Sequence, residues 1–112
     1  MNAERERKKI DEIHQRILRE LGLNLRAVGS DRRFYAMSRA LLEIFGEKIS
    51  VEQIRNANNV LSRELSVNSP LLEQSPTLRN EIERMKYGRI SEQGQRVLTQ
   101  AVSDILERNE MI

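Results

Sequence analysis

A short phrase that occurs twice constrains the fold of this chain more than any other feature. It reads FGEKIS at residues 45–50 and YGRIS at residues 87–91. A glycine just past a helix end can adopt the left-handed conformation that satisfies the last carbonyl groups. A serine just before a helix accepts from the free N–H groups of the first turn. Each phrase therefore predicts a helix end joined to a helix start by a tight turn.

The apolar spacing around these joints predicts an all-α protein. The signals are apolar residues at helical intervals, capping serines, and a proline at the first position of the fourth helix. Leu71 and Leu72, in the non-periodic segment 66–75, are expected to pack onto the core. We expect five helices: 2–21, one from a cap at Ser30 or Asp31 to 45, 51–65, 76–87, and one that begins after Ser91.

The third predicted helix has the clearest start. Ser50 and Gln53 have the spacing of a capping box, and Ile49 and Ile54 have that of a hydrophobic staple. The second helix is the most apolar and is expected at the centre of the fold. Its predicted inward face comprises Phe34, Met37, Leu41, Ile44 and Phe45. The predicted architecture is a compact bundle of about five helices, with two helical hairpins and an N-terminal helix in a single domain over residues 1–112.

Composition narrows the class of protein. The 112 residues suffice for one domain, and apolar residues at 38% with charged residues at 32% fit a small helical protein with a wide solvated surface. The chain has no cysteine, so disulfides, zinc–thiolate sites and thiol nucleophiles are excluded. No run of about 18 apolar residues predicts a membrane span, and the charged N-terminus does not resemble a signal peptide. We expect a cytoplasmic protein that does not enter a membrane.

The sequence predicts no catalytic, metal or cofactor site. His14 is the single histidine and is expected at the edge of an apolar stripe, as a surface or boundary residue. No catalytic triad can form without it, and nothing in the sequence places it near Ser30, Ser38 or Ser62. The carboxylates are scattered and the five glycines stand singly, so neither an acid–base pair nor a phosphate loop is indicated. We therefore expect a non-enzymatic protein with no small-molecule substrate.

The main functional prediction is a binding module that acts through protein–protein contacts, as an adaptor, regulator, assembly factor or homo-oligomer. The apolar stripes of the first and last helices are the candidate surfaces, because one helix face alone does not show whether it meets the core or a partner. The predicted contact residues are Ile10, Ile13 and Ile17 on the first helix, and Val97, Val102 and Ile105 on the last.

The alternative is a DNA-binding regulator. The second and third helices with their short joint have the outline of a helix-turn-helix, and the third would enter the major groove. Arg, Asn and Gln pair with base edges, and 15 of the 19 basic residues are Arg. Residues 1–40 hold ten basic and six acidic side chains, whereas residues 41–112 hold nine and eleven. The predicted contacts are Arg32, Arg33, Arg39, Gln53, Arg55, Asn56, Asn59 and Arg63.

Overall fold

The computed structural model describes residues 2–20, 32–66 and 68–112, and within them the chain is helical without strands. The described helices lie close to the predicted ones, with one short addition. They are α1 (Asn2–Glu20), α2 (Arg33–Phe45), α3 (Val51–Glu64), α4 (Pro70–Gln74), α5 (Pro76–Lys86) and α6 (Glu92–Arg108).

Both predicted serine caps form at the joints. The Ser50 hydroxyl accepts from the Gln53 N–H, and the Gln53 side chain accepts from the Ser50 N–H, so the capping box of α3 is complete. The Ser91 hydroxyl accepts from the Gly94 N–H at 2.9 Å, without a reciprocal side-chain bond. The repeated phrase therefore marks two real helix starts, of which the first is the more fully capped.

The two joint glycines both take a positive φ but end their helices differently. After α5, the Gly88 N–H (φ 85°) donates to the Met85 carbonyl, and the Arg89 N–H donates to the Arg84 carbonyl. These two bonds define a Schellman motif. After α2, Gly46 has φ 83° and ψ −177°, and its N–H donates to the Leu42 carbonyl. The predicted left-handed stop therefore forms at Gly88, whereas Gly46 turns the chain through a more extended conformation.

Two other helix starts differ from the prediction. The Ser30 or Asp31 cap of the second helix lies outside the described residues, and α2 begins after Arg32, whose side chain makes no capping bond. Pro76 occupies the first turn of α5 as predicted, but Ser75 makes no side-chain capping bond there. Proline suits the first turn of a helix without that bond, because the N–H group that it lacks would have no acceptor within the helix.

Helix α4 is an addition to the predicted set. Ser69 caps it through its hydroxyl, Pro70 stands in its first turn, and Leu72 is buried. The predicted packing of Leu71 and Leu72 onto the core is confirmed, with Leu71 half-buried. Five residues are too few to display a helical period, so the helix itself could not be recognised from spacing.

The core is one cluster to which all six described helices contribute. Helix α2 packs against α1, α5 and α6, which confirms its central position. Its most buried apolar residues, however, are Ala36, Ala40 and Leu41, while Phe34 and Met37 are only half-buried. Small residues let the neighbouring helices approach α2 closely, and the larger side chains then fill the flanks of the contact.

The last helix is buried on more than one side, because α2, α3 and α5 all pack against it. This explains why Gly94 and Gln95, two residues without apolar side chains, are buried near its start. Of the two expected hairpins, α5 and α6 pack directly on each other, whereas the main neighbours of α3 are α6 and α1. Among the described residues, no helix is long and apolar enough to cross a membrane.

Candidate functional site

The apolar stripes of the terminal helices lie largely inside the molecule. Ile10, Ile13 and Ile17 of α1 and Val102 and Ile105 of α6 are all buried. Ile13, Ile17, Val102 and Ile105 belong to the chain's own core cluster, and Ile10 is buried as well. Of the six predicted contact residues on the terminal helices, Val97 is the one that is half-buried and not fully buried.

Val97 lies in an open groove of about 430 Å³ between α6 and the α4–α5 region. Its apolar lining is Leu71, Leu78, Val97 and Ala101. Leu78 is buried, whereas the other three are half-buried and present part of their surface to solvent. We call this feature the Val97 groove. It is an apolar surface that none of the described helices covers.

A polar row of α6 forms one side of the Val97 groove. Its members are spaced four residues apart and so lie along one helix face: Arg96, Gln100, Asp104 and Arg108. The Gln100 amide nitrogen donates to the Asp104 carboxylate at 3.0 Å. Arg108 lies 3.8 Å from the Glu64 carboxylate. The row therefore has an arginine at each end and a hydrogen-bonded carboxylate between them.

The predicted DNA-reading face of α3 is exposed along its length. Gln53, Arg55, Asn56, Asn59 and Arg63 are all exposed, together with Glu52 at the start of the helix. The oxygen of the Gln53 side chain is already used by the capping box. A third asparagine, Asn58, faces inward instead, and its amide nitrogen has no hydrogen-bond partner among the described residues. The outward face thus carries both signs of charge and three uncharged amides.

The predicted phosphate-binding arginines lie at the start of α2 or within it, not on α3. Arg32 precedes α2 and is therefore separated from the α2–α3 joint by the length of the helix, about 20 Å for its 13 residues. Arg33 is half-buried beside it. Arg39 donates through both of its terminal nitrogens to the Glu92 carboxylate at 3.2 Å. That bidentate bond raises the pKa of Arg39 and lowers the pKa of Glu92.

His14 is buried, contrary to the expected surface or boundary position. It is 6% exposed, and its Nδ1 atom lies 3.2 Å from the Ser38 hydroxyl oxygen. Ser38 donates to the Phe34 carbonyl at 2.8 Å, and the Tyr35 ring meets the imidazole edge-on. Burial lowers the pKa of His14, with a smaller contribution from the positive charge of Arg32. The pair joins α1 to α2 inside the protein, and both side chains are buried.

No metal centre can be assembled from the described residues, since no three His, Asp or Glu side chains come together there.

Sequence reasoning also missed two buried polar side chains. Gln95 donates to the Ala36 carbonyl and to the Thr99 hydroxyl, and its own oxygen lacks a partner within the described structure. Glu81 is buried beside the start of α6. The apolar periodicity did not indicate that either side chain is buried, because its burial depends on which helix packs against it.

Comparisons of this chain with protein-family models, with curated proteins and with solved structures find no match.

Proposed function

We propose that this chain is a small, non-enzymatic, cytoplasmic binding module that holds a protein partner in the Val97 groove. The observation that supports this is the groove itself, an apolar surface left open in a fold whose other terminal-helix stripes are buried. Apolar grooves bordered by polar residues are typical of protein-binding surfaces. The burial of His14, the single histidine, also favours binding over catalysis.

The occupant that we propose is an amphipathic helix of a partner protein. The polar row runs from Arg96 to Arg108 over about 18 Å of α6, which matches roughly three turns of a helix laid along it. Apolar side chains of that helix would contact Val97, Ala101 and Leu71. Acidic side chains near its two ends would meet Arg96 and Arg108. Asp104, which lies between these arginines, is hydrogen-bonded to Gln100.

Selection from a displayed library of random peptides of about 15 residues tests this proposal. We expect the wild-type protein to enrich amphipathic helical sequences with acidic ends, and Val97→Glu to lose them. Val51→Glu is the matched control, because Val51 is an exposed apolar residue at the start of a different helix. Enrichment of the same peptides by Val97→Glu would contradict the proposal.

The oligomeric state decides whether the partner is a second copy of the chain. If light scattering on a sizing column shows a dimer that Val97→Glu converts to a monomer, the occupant is another copy and not a partner helix. If the wild type is a monomer, the protein-partner proposal stands as written. Val51→Glu again controls for the added charge.

DNA binding through α3 is the second candidate function, favoured by the exposure of all its predicted base-contacting residues. Sizing with random-sequence duplex DNA at low salt tests it. We expect a DNA complex whose affinity falls steeply with added salt, because phosphate contacts release counterions. Arg55→Ala and Asn59→Ala should fold normally and lose binding, since both residues are exposed. Unchanged binding by both variants would rule out this use of α3.

A further inference from the structure

Tyr87 is the most exposed of the large apolar side chains within the described structure, at 73% of its full accessible area. It stands at the C-terminal end of α5. Its backbone N–H donates to the Arg84 carbonyl, within the Schellman motif that ends the helix. The hydrogen-bonded turn therefore fixes the backbone of Tyr87 in one conformation. Little backbone entropy is then lost when a ligand stacks on its exposed ring.

Two arginines take positions in this turn that are usually apolar. In a Schellman motif the side chain three positions inside the helix end contacts the one just beyond the glycine, and the pair is commonly hydrophobic. Here those residues are Arg84 and Arg89. Arg84 is partly neutralised by Glu81 at 3.2 Å, whereas Arg89 has no ion pair within the described residues. Two arginines that line the same cavity favour the binding of an anion beside them.

The same side chains line one open cavity. Arg84, Tyr87 and Arg89 share a space of about 570 Å³ with Asn80 and Glu83. Asn80 offers an amide donor and acceptor, and Glu83 offers an acceptor for an amino group. The cavity therefore combines an aromatic face, two cations and groups that can hydrogen-bond to the edge of a planar ring. We call these five residues the Tyr87 surface.

We propose that the Tyr87 surface binds single-stranded nucleic acid. A base stacks on the Tyr87 ring, the Arg84 and Arg89 guanidinium groups contact the adjoining phosphates, and Asn80 and Glu83 lie beside the base edge. This combination of an aromatic platform with arginines is the one by which proteins hold unpaired nucleotides. The proposal is independent of the Val97 groove, which shares none of these residues.

Unpaired nucleotides fit this surface better than a duplex or an acidic peptide. Stacking on Tyr87 requires a base whose face is free, and the bases of a duplex are already stacked on one another. An acidic peptide would use the two arginines but would leave the aromatic ring without a planar partner. Glu83 repels carboxylates and phosphates alike, but it can accept from the N–H groups of base edges, including N3–H of thymine and uracil, which an acidic side chain does not offer.

Fluorescence anisotropy with labelled oligo(dT) and oligo(U) of about 12 nucleotides, at about 50 mM salt, tests the proposal. We expect binding that weakens about tenfold in Tyr87→Ala and is retained in Tyr87→Phe, because phenylalanine preserves the stacking face. Arg89→Gln should weaken binding, and Arg7→Gln at an exposed position of α1 should have little effect although it removes the same charge. These are exposed positions, so circular dichroism should show an unchanged fold.

Competition measurements distinguish the stacking proposal from simple anion binding. We expect unlabelled oligo(dT) to compete well, and duplex DNA, polyglutamate and inorganic phosphate to compete poorly. Equal competition by polyglutamate or phosphate would show a general anion patch and overturn the proposal. Equal competition by duplex DNA, equal affinity of Tyr87→Ala and wild type, or no binding of either oligonucleotide would overturn it as well.

Discussion

The Nδ1 atom of His14 lies 3.2 Å from the Ser38 hydroxyl oxygen, across the contact between α1 and α2. Because Ser38 donates its own proton to the Phe34 carbonyl, its oxygen accepts from the imidazole, which assigns a proton to Nδ1 of neutral His14. The two residues are 24 positions apart, and nothing in the sequence indicated their contact. The buried pair ties the N-terminal helix to the centre of the fold.

Acidification is expected to weaken the fold through His14. Burial places the pKa of folded His14 below its ordinary value of 6.5, against smaller opposing effects of the Phe34 carbonyl and Asp11. The stability due to neutral His14 is therefore complete above pH 6.5 and is lost as the pH falls through the folded pKa.

Two measurements check this pH dependence. Nuclear magnetic resonance titration of the single histidine should report a pKa below 6.5 in the folded protein. Urea unfolding at about pH 7.5 and about pH 5.5 should show a smaller loss of free energy for His14→Gln than for the wild type, since glutamine does not titrate. A folded-state pKa at or above the ordinary value would contradict the argument.

Gly94 and Glu81 are expected to be energetically coupled. A Cβ atom at position 94 would lie 2.5 Å from a Glu81 carboxylate oxygen and 3.0 Å from the Ser91 hydroxyl. Alanine in a helix interior is favoured over glycine by about 1 kcal/mol, but here the Glu81 side chain must first move. We expect Gly94→Ala to stabilise the Glu81→Ala variant more than the wild type, with a coupling of about 0.5–3 kcal/mol in a double-mutant cycle. Additive effects in urea unfolding would show that the carboxylate yields without cost.

The complete capping box predicts a measurable loss at the start of α3. Ser50→Ala removes the hydroxyl that accepts from the Gln53 N–H, and we expect it to lower the free energy of unfolding by about 1 kcal/mol. Ser62→Ala is the control, because Ser62 is exposed in the same helix and alanine there should be neutral or slightly stabilising. Chemical denaturation of both variants provides the comparison. Equal stabilities would mean that the cap contributes nothing in this protein.

The centre of α2 is expected to tolerate no added volume. Ala40 is completely buried where α2 meets its neighbours, so Ala40→Leu would force these helices apart. We expect a loss of roughly 1–3 kcal/mol or more, the usual range for overpacking. Ala3→Leu adds the same atoms at an exposed position of α1 and should change little. Thermal or urea unfolding separates the two cases, and similar stabilities would show that the core around α2 is loose.

The local elements of this protein follow from short stretches of sequence. Ser50 with Gln53, Ser91, Pro76 and Gly88 act on the backbone within a few residues of themselves, so helix starts and ends could be predicted from their spacing. The apolar period then identified the buried faces of the longer helices, although in α2 the most buried apolar residues include Ala36 and Ala40, which were not predicted. The sequence thus determined the helical class, the positions of the joints and most of the core.

Only the tertiary structure decided what covers each face. An apolar stripe such as Ile13 and Ile17 has the same period whether it meets the chain's own core or a partner, and only packing shows that it is core. The contact of His14 with Ser38, the burial of Glu81 and Gln95, and the openness of the Val97 groove depend on side chains from helices far apart in sequence. Local periodicity carries no information about those partners, because it describes one helix and not its neighbours.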